Sequence, residues 1–167
     1  MAKEKNNYTL IGMPGAGKST IGVLLAKALG YEFIDTDLVI QQKVGKLLKE
    51  IIAEEGNDGF KKIEEEVNSS IEADAAVIAP GGSAIYSEKA MKHFGDIGKI
   101  IYLKLNYASV EERLGDLAAR GVVLEQGQTL LDLYQERSPL YEKYADITVD
   151  LDKLSIGRSL EKVLENL

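Results

Sequence analysis

The sequence predicts an α/β fold built on a parallel, doubly wound sheet, and three observations carry the prediction. Short apolar runs alternate with stretches of helical period along the 167 residues. One run, Ala75-Ala-Val-Ile-Ala79, is apolar without interruption, as suits a strand buried on both faces. The first run, Tyr8-Thr-Leu-Ile11, opens through Gly12-Met-Pro-Gly-Ala-Gly-Lys-Ser19 directly into a helical stretch, the junction of an α/β unit.

The elements follow in order. Apolar residues at Ile21, Leu24, Leu25, Ala28 and Leu29 keep the 3.6-residue period of an amphipathic helix from Ser19 to Leu29. Tyr31-Glu-Phe-Ile-Asp35 reads as a second strand, opening onto Thr36-Asp37 and a helix near Leu38 to Val44. Helices over Gly45 to Glu55 and Asp58 to Ala73 are separated by Gly56-Asn57, which breaks helical period. The Ala75 to Ala79 strand ends in Pro80-Gly-Gly-Ser83, and Ser87 is placed to cap a helix reaching about Phe94. Lys99 to Lys104 is the fourth strand and Asn106 to Leu114 a further helix. Residues 115–127 lack firm periodicity and read as an excursion that could form a lid. Gln128 to Tyr144 is helical, with Pro139 expected to bend it; Asp146 to Val149 is the fifth strand and Ser155 to Leu167 the last helix. Five strands joined by helices imply a parallel sheet whose ligands gather at the strands' carboxyl ends. Gly12 to Ser19, Asp35 to Asp37 and Gly81 to Ser83 would emerge there together.

The Gly12 to Ser19 octapeptide matches G-x-x-x-x-G-K-[ST], and each residue type has a physical task. Glycines let successive backbone N–H groups curl around a phosphate, Lys18 neutralises charge, and Ser19 can place a hydroxyl on Mg2+. The positive end of the following helix favours an anion at the same place. A random chain of this length would match about once in a few hundred, so the strand and helix on either side decide for a nucleotide site over a chance glycine turn.

Composition narrows the function. The length suits one domain, spanning 1–167. A net charge of -7 disfavours a nucleic-acid backbone or an anionic membrane as partner and leaves a small molecule. There are no cysteines, which excludes disulfides and thiolate metal sites, and the N-terminus lacks the apolar core of a signal peptide. These features predict a soluble, cytoplasmic protein. His93 is the only histidine, and a structural or solvent role is expected of it rather than a His-based metal site or an oriented triad.

Several polar residues are candidates for chemistry. Asp35 and Asp37 could divide metal binding and proton abstraction, or serve as helix N-caps. Lys61 and Glu64, three apart on a helix, share a face and would otherwise be a surface ion pair. The rest of Glu64-Glu65-Glu66 reads as a solvated face. Arg120, in the excursion, could close over a triphosphate or simply be solvated, and Arg137 has no local signature. No arginine precedes Arg113. Gripping an acceptor's own phosphate favours bidentate arginines, so an acceptor with a carboxylate and hydroxyls fits better than a nucleoside monophosphate.

Five blocks in order resemble the shikimate kinase family, from about Tyr8 to Asp150: the phosphate loop to Thr20 with Ile21-Gly22, Phe33-Ile-Asp35-Thr-Asp37, Phe60-Lys61-x-x-Glu64, Pro80-Gly81-Gly82-Ser83, and Arg137-Ser-Pro-Leu-Tyr141 with Ala145-Asp146. The resemblance implies a P-loop kinase fold with strand order 2-3-1-4-5, a substrate-binding helical region at about 38–73 and a lid at 115–127. It implies ATP and Mg2+, with Gly15, Ala16, Gly17, Lys18, Ser19 and Thr20 on the phosphates and Ser19 and Asp35 on the metal. Asp37 would be the base, Lys18 and the lid residue Arg120 would assist catalysis, and Arg113 would lie near the adenine. Asp37, Lys61, Glu64, Gly81, Gly82, Ser83 and Arg137 would form the acceptor site of what is expected to be a monomer. Three positions depart from the family pattern: Lys61 for arginine, Ser83 for a third glycine, and Gly121 where proline is usual. The implied reaction is phosphorylation of shikimate. The alternatives are a kinase for another hydroxylated acid, such as a sugar acid, and a catalytically weak nucleotide-binding protein.

Overall fold

The computed structural model describes residues 6–115 and 124–167, so Arg120, Gly121 and most of the expected lid lie outside the described residues. Strands β1 (Asn7–Ile11), β2 (Glu32–Asp35), β3 (Ala76–Ala79), β4 (Gly98–Lys104) and β5 (Ile147–Asp150) form one sheet in the order β2-β3-β1-β4-β5. Every neighbouring pair is parallel. The expected order holds. Helices α1 (Lys18–Leu29), α2 (Thr36–Val44), α3 (Leu48–Ser69), α4 (Glu88–Ile97), α5 (Tyr107–Arg113), α6 (Leu130–Tyr144) and α7 (Ile156–Glu165) connect or flank the strands.

All four β3 residues are buried, as their uninterrupted apolar run requires of a strand covered on both faces. Leu10, Ile78, Ile101 and Leu103 join Leu25, Phe94 and Val163 from the helices in one core. A second, smaller core of Ile40, Ile51 and Val67, with Phe60 and Ile63 against it, holds α2 to α3. The amino end of the sheet is tied by Asn7, only 2% exposed. Its amide donates to the carbonyls of Ala73 and Ile97, and its oxygen accepts from Ala76 N–H. Among the described residues no helix is long and apolar enough to cross a membrane.

Boundaries differ from the sequence reading where backbone geometry intervenes. Gly45, left-handed at φ 77, ends α2, so α3 begins at Leu48 rather than at Gly45. Gly56, at φ 71 and ψ 176, breaks the helical path inside α3, which is the interruption that Gly56-Asn57 predicts. Helix α6 runs through Pro139. Both Pro139 and Gln135, whose carbonyl loses its helical partner, are exposed, so water can serve that carbonyl. His93 Nε2 lies 2.7 Å from the Ile71 carbonyl, a structural contact.

Candidate active site

The carboxyl ends of β1, β2 and β3 bring the three predicted loops to one cleft of about 550 Å3. Its lining includes Lys18, Ser19, Asp35, Asp37, Lys61, Gly81, Gly82, Ser83 and Arg137. Sequence positions more than a hundred residues apart therefore meet. Glu64 is not part of the lining but abuts it: a Cβ on Gly81 would stand 3.0 Å from Glu64 Oε2 and 3.1 Å from Asp37 Oδ1.

The phosphate loop is formed as its sequence requires. Gly17, at φ 91, is the N-cap of α1 and offers no side chain, so the first-turn N–H groups of the helix are left open to an anion. Gly12, at φ 154, lies so close to β4 that a Cβ would fall 2.7 Å from the Leu103 carbonyl oxygen. Lys18 Nζ folds into the loop and donates to the carbonyls of Gly12 at 2.6 Å and Met13 at 3.0 Å. Burial, helped by the positive charge of Arg137, brings its ammonium down to about 7, with Asp37 pulling the other way. Arg113 on α5 donates to the Gly15 carbonyl at 3.2 Å, beside the loop.

Asp35 and Asp37 differ in their local contacts. Asp35 is the N-cap of α2, its Oδ1 accepting from Asp37 N–H at 2.9 Å. Capping thus falls on the first aspartate and leaves the Asp37 carboxylate for the cleft. Burial, and then Asp35, pushes the Asp37 carboxyl up to about 6, while Lys18 opposes the rise.

At the other end Glu64 is 3% exposed and Arg137 8%. Lys61, by contrast, is exposed on α3, so the two share a helix face but not an environment, and no surface ion pair joins them among the described residues. Ser83 Oγ donates to Glu64 Oε1 at 2.6 Å. Burial pushes Glu64 up to about 7; the Ser83 hydrogen bond, Arg137 and Lys61 hold it down, and Asp37 raises it. A side chain on Gly82 would displace the Arg137 guanidinium, since a Cβ would lie 2.6 Å from one Nη. Glu65 is not simply solvated: it accepts from the Ser87 hydroxyl.

Three comparisons bear on this arrangement. The family model for shikimate kinase matches residues 14–167. The chain belongs to the shikimate kinase family. Relatives named shikimate kinase include that of Mannheimia succiniciproducens, 39% identical over 97% of this chain and 95% of its own. That of Pasteurella multocida is 39% identical over 98% of both chains. The solved shikimate kinase of Acinetobacter baumannii, in complex with shikimate, has a TM-score of 0.85 at 31% identity, covering 97% of this chain and 92% of that one. The fold of this shikimate kinase family member is therefore that of P-loop kinases.

One residue in the cleft escapes sequence reasoning. Tyr86 ends a 3-10 turn, Gly82–Tyr86, that follows β3. A lone tyrosine in an aperiodic segment carries no signal of its own. It becomes visible only when α3 and α6 pack against the turn.

Proposed function

We propose that this protein transfers the terminal phosphoryl group of ATP to a hydroxyl of shikimate, as a cytoplasmic enzyme acting as a monomer. The observation that carries the reading is the position of Asp37. Its carboxyl, raised to about 6, adjoins Glu64 beside Gly81 on one side and couples to Lys18 of the phosphate loop on the other. A base whose affinity for protons lies near working pH can take the acceptor's hydroxyl proton as the oxygen attacks the terminal phosphorus and ADP leaves.

The residues present fit ATP and Mg2+. The open first turn of α1, which holds Thr20, and the Lys18 ammonium suit the phosphates, with Gly15, Ala16 and Gly17 on the loop and Arg113 beside it. Among the described residues no group of three acidic or histidine side chains could cage a cation. Ser19 and Asp35 would hold Mg2+ together with phosphate oxygens, a ligand set that suits this ion, and the ion would offset phosphate charge. Arg120 would add positive charge from the lid. Arg137 and Lys61 would bind the acceptor's carboxylate, with Glu64, Gly81, Gly82 and Ser83 completing that pocket, and residues 38–73 would form its helical wall. The -7 charge supports a small-molecule partner rather than nucleic acid or membrane.

ADP release from MgATP with and without shikimate tests the reading. Release that depends on shikimate is expected. Tight ATP binding without release under any acceptor would instead mark a nucleotide-binding protein.

A further inference from the structure

We infer that Tyr86 is a positioning residue of the acceptor pocket, holding Lys61 and Arg137 in place to receive a carboxylate. The inference rests on the reading of those two cations as the carboxylate-binding pair. Tyr86 is 37% exposed and lines the cleft. Its ring centroid lies 5.3 Å from Lys61 Nζ and 5.5 Å from Arg137 Cζ, both within cation–π reach. Its hydroxyl accepts from Arg137 Nε at 3.3 Å. That contact uses the inner N–H of the guanidinium and not its Nη groups, one of which abuts Gly82.

The tyrosine can do this because its own backbone is fixed. Ser83 at the start of the turn donates to Glu64, and Ser87, just after it, donates to Glu65. Ser87 also caps α4 by accepting from Ala90 N–H at 3.1 Å. Both ends of the turn are thus fastened to α3, the helix that carries Lys61. Tyr86 reaches across to α6, which carries Arg137. Lysine lacks the planar fork that holds a carboxylate by two parallel bonds, so its ammonium depends on surroundings for direction. An aromatic face supplies that direction without neutralising the charge, as a carboxylate partner would.

Steady-state kinetics of Tyr86→Leu and Tyr86→Phe test this. Tyr86→Leu should raise the KM for shikimate about 10-fold, with the KM for ATP within about 2-fold of wild type and kcat less affected than KM. Tyr86→Phe, which keeps the ring, should restore most of the loss. A Tyr86→Leu variant with unchanged acceptor KM, or one that weakens both substrates equally while its Tm falls, would overturn the inference. Wild-type turnover with shikimate is the separate control on the substrate. Turnover of another hydroxylated acid in its place would overturn that substrate, and the same split in KM is then measured on that acid.

Discussion

At the scale of single residues, what could be read from the sequence and what could not divide along a clear line. The phosphate loop is local, so Gly12 to Ser19 could be read from spacing alone, and the structure folds it with Lys18 inside. The acceptor end is not local. Glu64 looks like any solvated glutamate until α3 turns it under the Gly81-Gly82 loop, and Ser83 looks like a loop serine until its hydroxyl meets Glu64. Family resemblance flagged both positions; only packing shows that they bond each other. Asp37 is the residue on which the chemistry turns. Asp37→Asn should lower kcat about 100- to 10,000-fold with ATP affinity nearly unchanged, measured by shikimate-dependent ADP release and by calorimetric titration with MgATP. Activity within a few-fold of wild type would remove Asp37 from the role of base. An acid limb should also appear in the pH profile of kcat/KM near 6 to 7, because the raised Asp37 and Glu64 carboxyls must ionise to work.

At the scale of elements, helix and strand identities were legible because their apolar periods are long, whereas their ends were set by backbone groups that periodicity does not report. Gly45 shows this well: a helix-compatible spacing runs past it, yet its left-handed backbone closes α2. The 3-10 turn Gly82–Tyr86 has too few residues to show a period at all. Asn7 is the strongest case of a hidden structural device. It reads as the last residue of a polar N-terminus, but its side chain makes three hydrogen bonds that join β1 to the chain entering β3 and to the end of α4. Asn7→Ala would leave three backbone groups without these partners at a nearly buried site and should cost about 2–4 kcal/mol, read by urea denaturation. A loss below about 0.5 kcal/mol would show that water or a local shift replaces all three bonds.

At the scale of the whole molecule, the fold accepts a cost at neutral pH to keep its cleft charged. Glu64 and Asp37 bind protons more tightly folded than unfolded, so their contribution to stability is greatest in acid and is lost as pH rises through about 7 and about 6. Lys18 runs the other way: its folded value near 7 lies below its unfolded one, so stability falls as pH drops from about 10 towards 7. The three costs coincide at neutral pH. Glu64→Gln, which removes one buried charge and keeps an acceptor for Ser83, should raise Tm by about 5 °C or more at pH 7.5 and change it little at pH 4.5. A fall in Tm that is larger at pH 7.5 than at pH 4.5 would show that the ionised carboxylate stabilises the fold instead. The parallel sheet places these buried ionisable groups together at one end while the core and the Asn7 tie hold the rest, which is why the architecture was legible from alternation and the energetics were not. The central claim, that this cleft selects shikimate, is tested most directly by comparing kcat/KM for shikimate with that for gluconate and other hydroxylated acids under saturating MgATP. We expect shikimate to exceed the others by about 100-fold or more, with one phosphoester formed per ADP; equal or greater turnover of a sugar acid would contradict the account.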